Sequence, residues 1–257
     1  MSKKLPFYCS DSKEKRFTSR DGDIFTIEII DKPRIKLKEN MKGIFINDVC
    51  KLAKVAWGDP GVFIDKVFSL ADIWLVAWKG DELKGWTAAR IRNNVANFLS
   101  TTISPEVQQK GLASFLIRSV IKIGWWRNRG WKLWEWFSPF YLATRTCNPC
   151  VYESLSQKMP IFPSLKNRVP SKQELKIAIE VAHTFSPDNQ FNPELFVIQG
   201  ALVSCPDLIY RVDDIPWSSN SSVNQFLEER LELTKRKGNM LVIVGRVLCP
   251  LSVIFRR

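Results

Sequence analysis

The sequence predicts an α/β (α+β) fold with an antiparallel meander in its N-terminal half. Three observations predict it. Apolar runs separated by turn signals recur over residues 73–103, a helical stripe follows them at once, and a capped helix and a strongly apolar strand lie near the C-terminus. With 257 residues, 45% hydrophobic and 25% charged, the chain suits one large folded domain, or one domain with an added lobe.

The elements follow in order. Residues 1–22 are polar, lysine-rich and weakly patterned, which predicts a flexible basic arm. Residues 25–30 alternate in part and predict a strand, and Arg34, Ile35, Lys36, Leu37 and Lys38 alternate as a half-exposed strand would. Asn47 and Asp48 stand where they can cap a helix whose Val49, Leu52, Ala53 and Ala56 keep the i, i+3, i+4, i+7 series. Gly58, Asp59, Pro60 and Gly61 break that helix, and a short amphipathic turn covers residues 63–70. Residues 73–78 and 83–91 flank the turn signal Lys79, Gly80, Asp81 as a hairpin, and Asn93 and Asn94 turn the chain into a third strand at 97–103.

Leu112, Phe115, Leu116, Ser119, Val120 and Ile123 then fall on one helical stripe, widened by Ile117 and Ile121, with a stop at Gly130. One or two strands are expected between Gly130 and Pro149, and Asn148 with Pro149 opens a helix. Farther on, Ser171 and Glu174 form a capping box before a helix to about Phe185. Residues 195–203 predict a strand, 223–237 a charged amphipathic helix ended by Gly238, and 240–248 an apolar strand.

Composition narrows the function classes. No apolar run approaches the roughly 20 residues of a membrane helix, and no run of about 7–15 apolar residues follows Lys3 and Lys4 as an export signal requires. Neither membrane insertion nor export is expected, and a cytoplasmic location is. Six cysteines are too sparse for a disulfide framework. Cys147 and Cys150 make a single pair, readable as half a zinc site or a redox pair. With no second pair and with His183 as the one histidine, two reduced thiols and no metal are expected. The same isolation of His183 disfavours a cysteine nucleophile.

The net charge of +12 is spread along the whole length, so most basic residues are read as solvated faces. It also suits a polyanionic cofactor. No nucleic-acid reader motif is present, and a nucleic-acid partner is not expected. Trp125, Trp126, Trp131, Trp134 and Trp136 form a dense aromatic segment. It reads as core, as an acceptor pocket, as a homodimer surface or as a membrane-interface patch.

Residues 101–116 carry the chemistry. A strand ends at Ile103, Pro105 bends the chain, and Gln108, Gln109, Lys110, Gly111, Leu112, Ala113 and Ser114 lead into a helix. Gly111 and Ala113 remove side-chain bulk, so backbone N–H groups at the positive end of the helix can approach an anion, best a pyrophosphate. Lys110 adds positive charge.

This segment resembles the cofactor motif of the GNAT superfamily of N-acetyltransferases, with Gln108, Gly111, Ala113 and Leu116 in its characteristic places. Asn148 and Tyr152, followed by Glu153, resemble a second motif of that family, and the likeness covers about residues 34–158. The resemblance implies a GNAT fold with a mixed central sheet, an antiparallel N-terminal meander, flanking helices and a C-terminal extension. With the basic arm at 1–22 set apart, it implies an acyl-CoA-binding core at 23–158 and leaves a C-terminal α/β part at 159–257 that completes or extends the sheet.

It further implies acetyl-CoA as co-substrate and direct attack by an amine in a ternary complex. Ile103 and residues 108–114 would hold the cofactor, and Asn148 would contact it or cap its helix. Tyr152 is the candidate general acid for the departing thiolate, and Glu106 and Glu135 are candidate bases. The alternative is a non-catalytic CoA-binding or regulatory protein of the same fold. The amine acceptor is not specified by any motif.

Overall fold

The computed structural model describes residues 12–60, 63–129, 138–166 and 168–247. The chain divides into two units, one running to Ile91 and including Phe98–Arg127, the other formed by Arg92–Asn97 and the residues from Asn128 onward.

β1 (Lys13–Thr18), β2 (Ile24–Asp31), β3 (Ile73–Lys79) and β4 (Glu82–Arg92) are antiparallel neighbours in that order, and β5 (Val95–Ile103) bonds to β4. Asn93 and Asn94 both take positive φ, 48° and 61°, which suits the two-residue turn whose twist matches paired strands. The expected meander is present. β1 is an addition to it: Lys13–Thr18, placed by the sequence within a loose arm, is a strand because every residue finds a ladder partner from Ile24 to Ile29.

Between β2 and β3 the chain forms α1 (Pro33–Lys36), α2 (Glu39–Trp57) and α3 (Phe63–Leu70). Two expectations are corrected here. Residues 34–38 are not a strand, because Lys32 turns into the left-handed region and Pro33, with φ already fixed, starts a helical turn. α2 begins at Glu39, so Asn47 and Asp48 lie mid-helix instead of capping it. The apolar stripe of α2 is as read: Val49, Leu52 and Ala53 are buried. β3 is buried along six of its seven residues. Its Trp74 stacks on Trp86 of β4 at 4.7 Å and meets Phe45 of α2 edge-on at 4.6 Å.

α4 (Leu112–Arg129) follows β5 and turns Leu112, Leu116, Val120, Ile121 and Trp125 inward. Trp125 is core, whereas Trp126 is 39% exposed. Trp131, Trp134 and Trp136 lie outside the described residues.

The second unit holds β6 (Phe140–Thr146), α5 (Pro149–Ser156), β7 (Ile161–Phe162), α6 (Lys172–Phe185), β8 (Phe191–Asn192), β9 (Val197–Ile198), α7 (Ser221–Leu231) and β10 (Met240–Val247). β10 pairs antiparallel with β6, β7 and β9, and β9 pairs with β8. Ile177, Ala178, Val181 and Ala182 of α6 pack on Tyr141 and Ala143 of β6 and on Val242 and Val244 of β10. The capping box of α6 forms as predicted from Ser171 and Glu174.

Residues 195–203 give only the short β9. Phe196, fully buried, takes φ 59°, and Gly200 turns at φ 60°, so the run cannot stay extended. α7 stops at Leu231 instead of continuing to 237, because Glu232 takes the left-handed conformation, with Lys235 and Lys237 on its carboxylate.

Candidate cofactor site

The loop before α4 is built from short-range bonds. The Ser104 N–H donates to the Lys84 carbonyl at 2.9 Å, which keeps the end of β5 on β4. A 3-10 turn, Pro105–Val107, then bends the chain. Gln108 reaches back, its Nε2 donating to the Ile103 carbonyl at 3.2 Å. Gln109 (φ 63°) and Gly111 (φ 92°) are both left-handed. Such reversals aim successive N–H groups into one concavity, the geometry that receives anions.

Phe115 N–H donates to the Gly111 carbonyl at 3.0 Å. The N–H groups of Leu112 and Ala113 precede it at the positive end of the helix, where no helical carbonyl lies four residues back. The backbone at this loop thus has the shape and the helix-terminal N–H groups that can receive an anion.

Two glycines permit this shape. Gly111 adopts a φ that side chains resist, and a Cβ there would stand 3.7 Å from the Phe17 ring. Gly85 of β4, which the sequence did not single out, lies where the Ile103 and Leu112 side chains approach closely. A Cβ on it would fall 2.8 Å from Ile103 Cδ1 and 3.3 Å from Leu112 Cδ2. No local pattern announces that approach, since the atoms come from residues 18 and 27 positions away.

The expected charge of Lys110 is already answered. Its Nζ lies 3.2 Å from both Asp21 Oδ2 and Asp23 Oδ2, and these carboxylates raise its pKa. Asp23 also holds Lys79 at 2.8 Å, and the Arg20 N–H donates to the Lys110 carbonyl at 3.4 Å. The turn between β1 and β2 thus braces the loop, and Lys110 is engaged by carboxylates of its own unit.

Glu106 does not suit a general base. It is exposed, its carboxylate is bonded to Lys84 and accepts from Ser104 Oγ at 3.0 Å, and both partners hold its pKa below the ordinary value. A low-pKa carboxylate has little drive to take a proton. Glu135 lies outside the described residues.

Asn148 and Tyr152 belong to the second unit. Asn148 is the N-cap of α5: its Oδ1 accepts from the Cys150 and Val151 N–H groups at 2.9 and 3.3 Å. Its Nδ2 donates to the Tyr210 hydroxyl at 3.3 Å. Capping accounts for it. Tyr152 is fully buried, its ring packs on Phe226 at 5.1 Å, and its hydroxyl donates to the Pro163 carbonyl at 3.0 Å. Burial pushes its pKa up to about 12. This placement describes a packing residue whose proton is already committed, which departs from the role of a general acid.

Tyr210 was missed by sequence reasoning because its link to Asn148 spans 62 residues. Cys147 and Cys150 are free thiols as expected, and burial raises the pKa of both, Cys147 to about 11. Neither is poised as a nucleophile. Among the described residues no three His, Cys, Asp or Glu side chains gather as metal ligands, and no helix is long and apolar enough to cross a membrane.

No protein-family model matches the chain, and no curated protein matches it. Solved structures are similar to it. IAA acetyltransferase from Bacillus cereus is 20% identical, with 57% of this chain and 79% of that one covered at a TM-score of 0.36. The GNAT domain of PAT from S. lividans is 14% identical, covering 60% and 92% at 0.41. A GNAT family acetyltransferase from Elizabethkingia anophelis with acetyl-CoA bound is 12% identical, covering 86% and 98% at 0.41. Identities and scores this low leave the activity of the present chain to its own residues.

Proposed function

We propose that the chain is a GNAT-type N-acetyltransferase that moves an acetyl group from acetyl-CoA to an amine by direct attack in a ternary complex. The observation that carries this reading is the loop of residues 108–113. Gln108 and Gly111, two positions of the motif resemblance, also shape the loop, with Gln108 pinning the strand end and Gly111 in the left-handed region.

Acetyl-CoA, when bound, supplies a thioester carbonyl open to attack by an amine. The N–H groups of Leu112 and Ala113 would hold the pyrophosphate, and Gln108, by fixing Ile103 to the loop, would set the register between the anchored phosphates and the end of β5. An amine of lysine-like pKa, about 10, must shed a proton to water or to a base other than Glu106.

A non-catalytic cofactor-binding protein is the second reading. The commitment of the Tyr152 hydroxyl to Pro163 and of Glu106 to Lys84 favours it.

Thermal unfolding with acetyl-CoA tests the shared part. At about 100 times Kd the cofactor adds about 2.7 kcal/mol of stability, a rise in Tm of roughly 5–10 °C for a chain of this size. No shift at millimolar cofactor sinks both readings. Thiol release on adding peptide N-termini, lysines or polyamines then separates the enzyme from the binder.

A further inference from the structure

Arg145, near the end of β6, follows Tyr141 and Ala143 in the alternation of the strand and so stands on the face that α6 covers. Its guanidinium carbon lies 3.3 Å from the centre of the Phe185 ring, at the end of α6. That separation sets the guanidinium plane against the ring, which covers one of its faces and leaves its N–H edge open. Among the described residues no carboxylate or carbonyl accepts from that edge. Burial strips water from the half-buried side chain and pulls its pKa down to about 9, and only the Cys147 thiol acts in the other direction.

A second donor is left over beside it. Asn148 Oδ1 is occupied by the Cys150 and Val151 N–H groups, so Nδ2 is the atom that faces Tyr210. The Tyr210 hydroxyl accepts there, and its own proton has no acceptor among the described residues. Burial, with the Cys147 thiol close by, keeps that proton on the oxygen well above the usual tyrosine range. Tyr210 is held in place by the 3-10 turn Pro206–Leu208, whose Pro206 carbonyl accepts from the Ile209 N–H at 3.0 Å.

The two donors belong to one corner of the second unit. Arg145 precedes Asn148 by three residues, a span of at most about 10 Å. The Asn148 N–H folds back on Thr146 Oγ1 at 2.9 Å and shortens it. Cys147, between them in sequence, is the ionisable neighbour that both Arg145 and Tyr210 share. A guanidinium edge offers two parallel N–H groups, the fork that fits a carboxylate, and a tyrosine hydroxyl adds a third donor. No second cation acts on Arg145, so the charge on offer matches a monoanion and falls short of a phosphomonoester.

We propose that the Arg145 guanidinium edge and the Tyr210 hydroxyl, at the end of β6, bind the carboxylate of a small organic acid. The site is built within the second unit and does not depend on the cofactor reading above.

Chemical-shift titration of the full chain tests it, with acetate as the probe and acetamide and inorganic phosphate beside it at constant ionic strength. Acetate is expected to shift the backbone N–H signals of residues 145–148 and 210 saturably in the millimolar range, whereas acetamide, its neutral counterpart, leaves them in place. Arg145→Lys weakens acetate by about tenfold or more, since an ammonium keeps the charge and loses the fork. Tyr210→Phe, which removes one oxygen, weakens it by about fivefold or more, the scale of one hydrogen bond to a charged group. Unchanged signals elsewhere report an intact fold in each variant, and Tyr210→Phe carries the test alone if Arg145→Lys does not fold. No saturable shift far above millimolar acetate overturns the site, and so does equal binding of acetamide or unaltered acetate binding in a folded variant. Tighter binding of phosphate than of acetate overturns the carboxylate class.

Discussion

Gly111 illustrates how one residue sets a site. At φ 92° it reverses the backbone before α4, and a β-branched side chain there is strained whatever the space around it. Gly111→Val is expected to abolish the Tm rise given by acetyl-CoA while lowering the Tm of the free protein by only a few degrees, as roughly 1–2 kcal/mol of strain implies. Tyr152 gives the opposite kind of prediction. With its hydroxyl on the Pro163 carbonyl, Tyr152→Phe should cost about 1–3 kcal/mol of stability. Any acetyl transfer should persist within a few-fold. A fall of a hundredfold or more, the scale of lost general-acid catalysis, would restore the tyrosine to the reaction.

At the scale of the element, helix termini are where local chemistry speaks most plainly. Ser171 accepts from the Glu174 N–H at 3.2 Å while the Glu174 carboxylate accepts from the Ser171 N–H at 2.8 Å, the reciprocal cap that the residue spacing predicts. Ser171→Ala is expected to lose about 1 kcal/mol, read as a Tm drop of roughly 2–4 °C. Asn148 before Pro149 is legible for the same reason. Asn47 and Asp48 show the limit of such signals. They have the residue types of a cap, yet α2 runs through them from Glu39, because Phe45 is fully buried against Trp74 and keeps the preceding turns helical.

For the whole molecule, one contribution to the response to acid comes from a carboxylate tied into the second unit. Burial pushes the Glu174 pKa up, but the Arg168 guanidinium, bonded to both oxygens at 2.8 and 2.5 Å, and Ser171 outweigh it and leave the pKa below its ordinary 4.5. A group whose pKa is depressed on folding contributes in full above its unfolded value. That contribution is lost as pH falls through the folded one. Stability should therefore hold from neutrality to about pH 5 and decline below the ordinary glutamate value. In Glu174→Gln that acid decline should be shallower, measured by denaturant midpoints across pH.

The sequence by itself determined the parts governed by neighbours a few residues apart: the meander with its Asn93–Asn94 turn, the stripe of α4, the caps of α5 and α6, and the loop at Gln108 and Gly111. Periodicity and backbone preference act over one or two turns, so they can be read along the chain. Tertiary structure alone decided the rest. Gly85 matters because Ile103 and Leu112 converge on it, and Lys110 is spent because Asp21 and Asp23 reach it across almost the whole unit in sequence. Tyr152 is drawn into the core by Phe226 and Pro163. A motif names residue types at a spacing. Which of those side chains faces a ligand and which is already bonded depends on partners that only folding brings near.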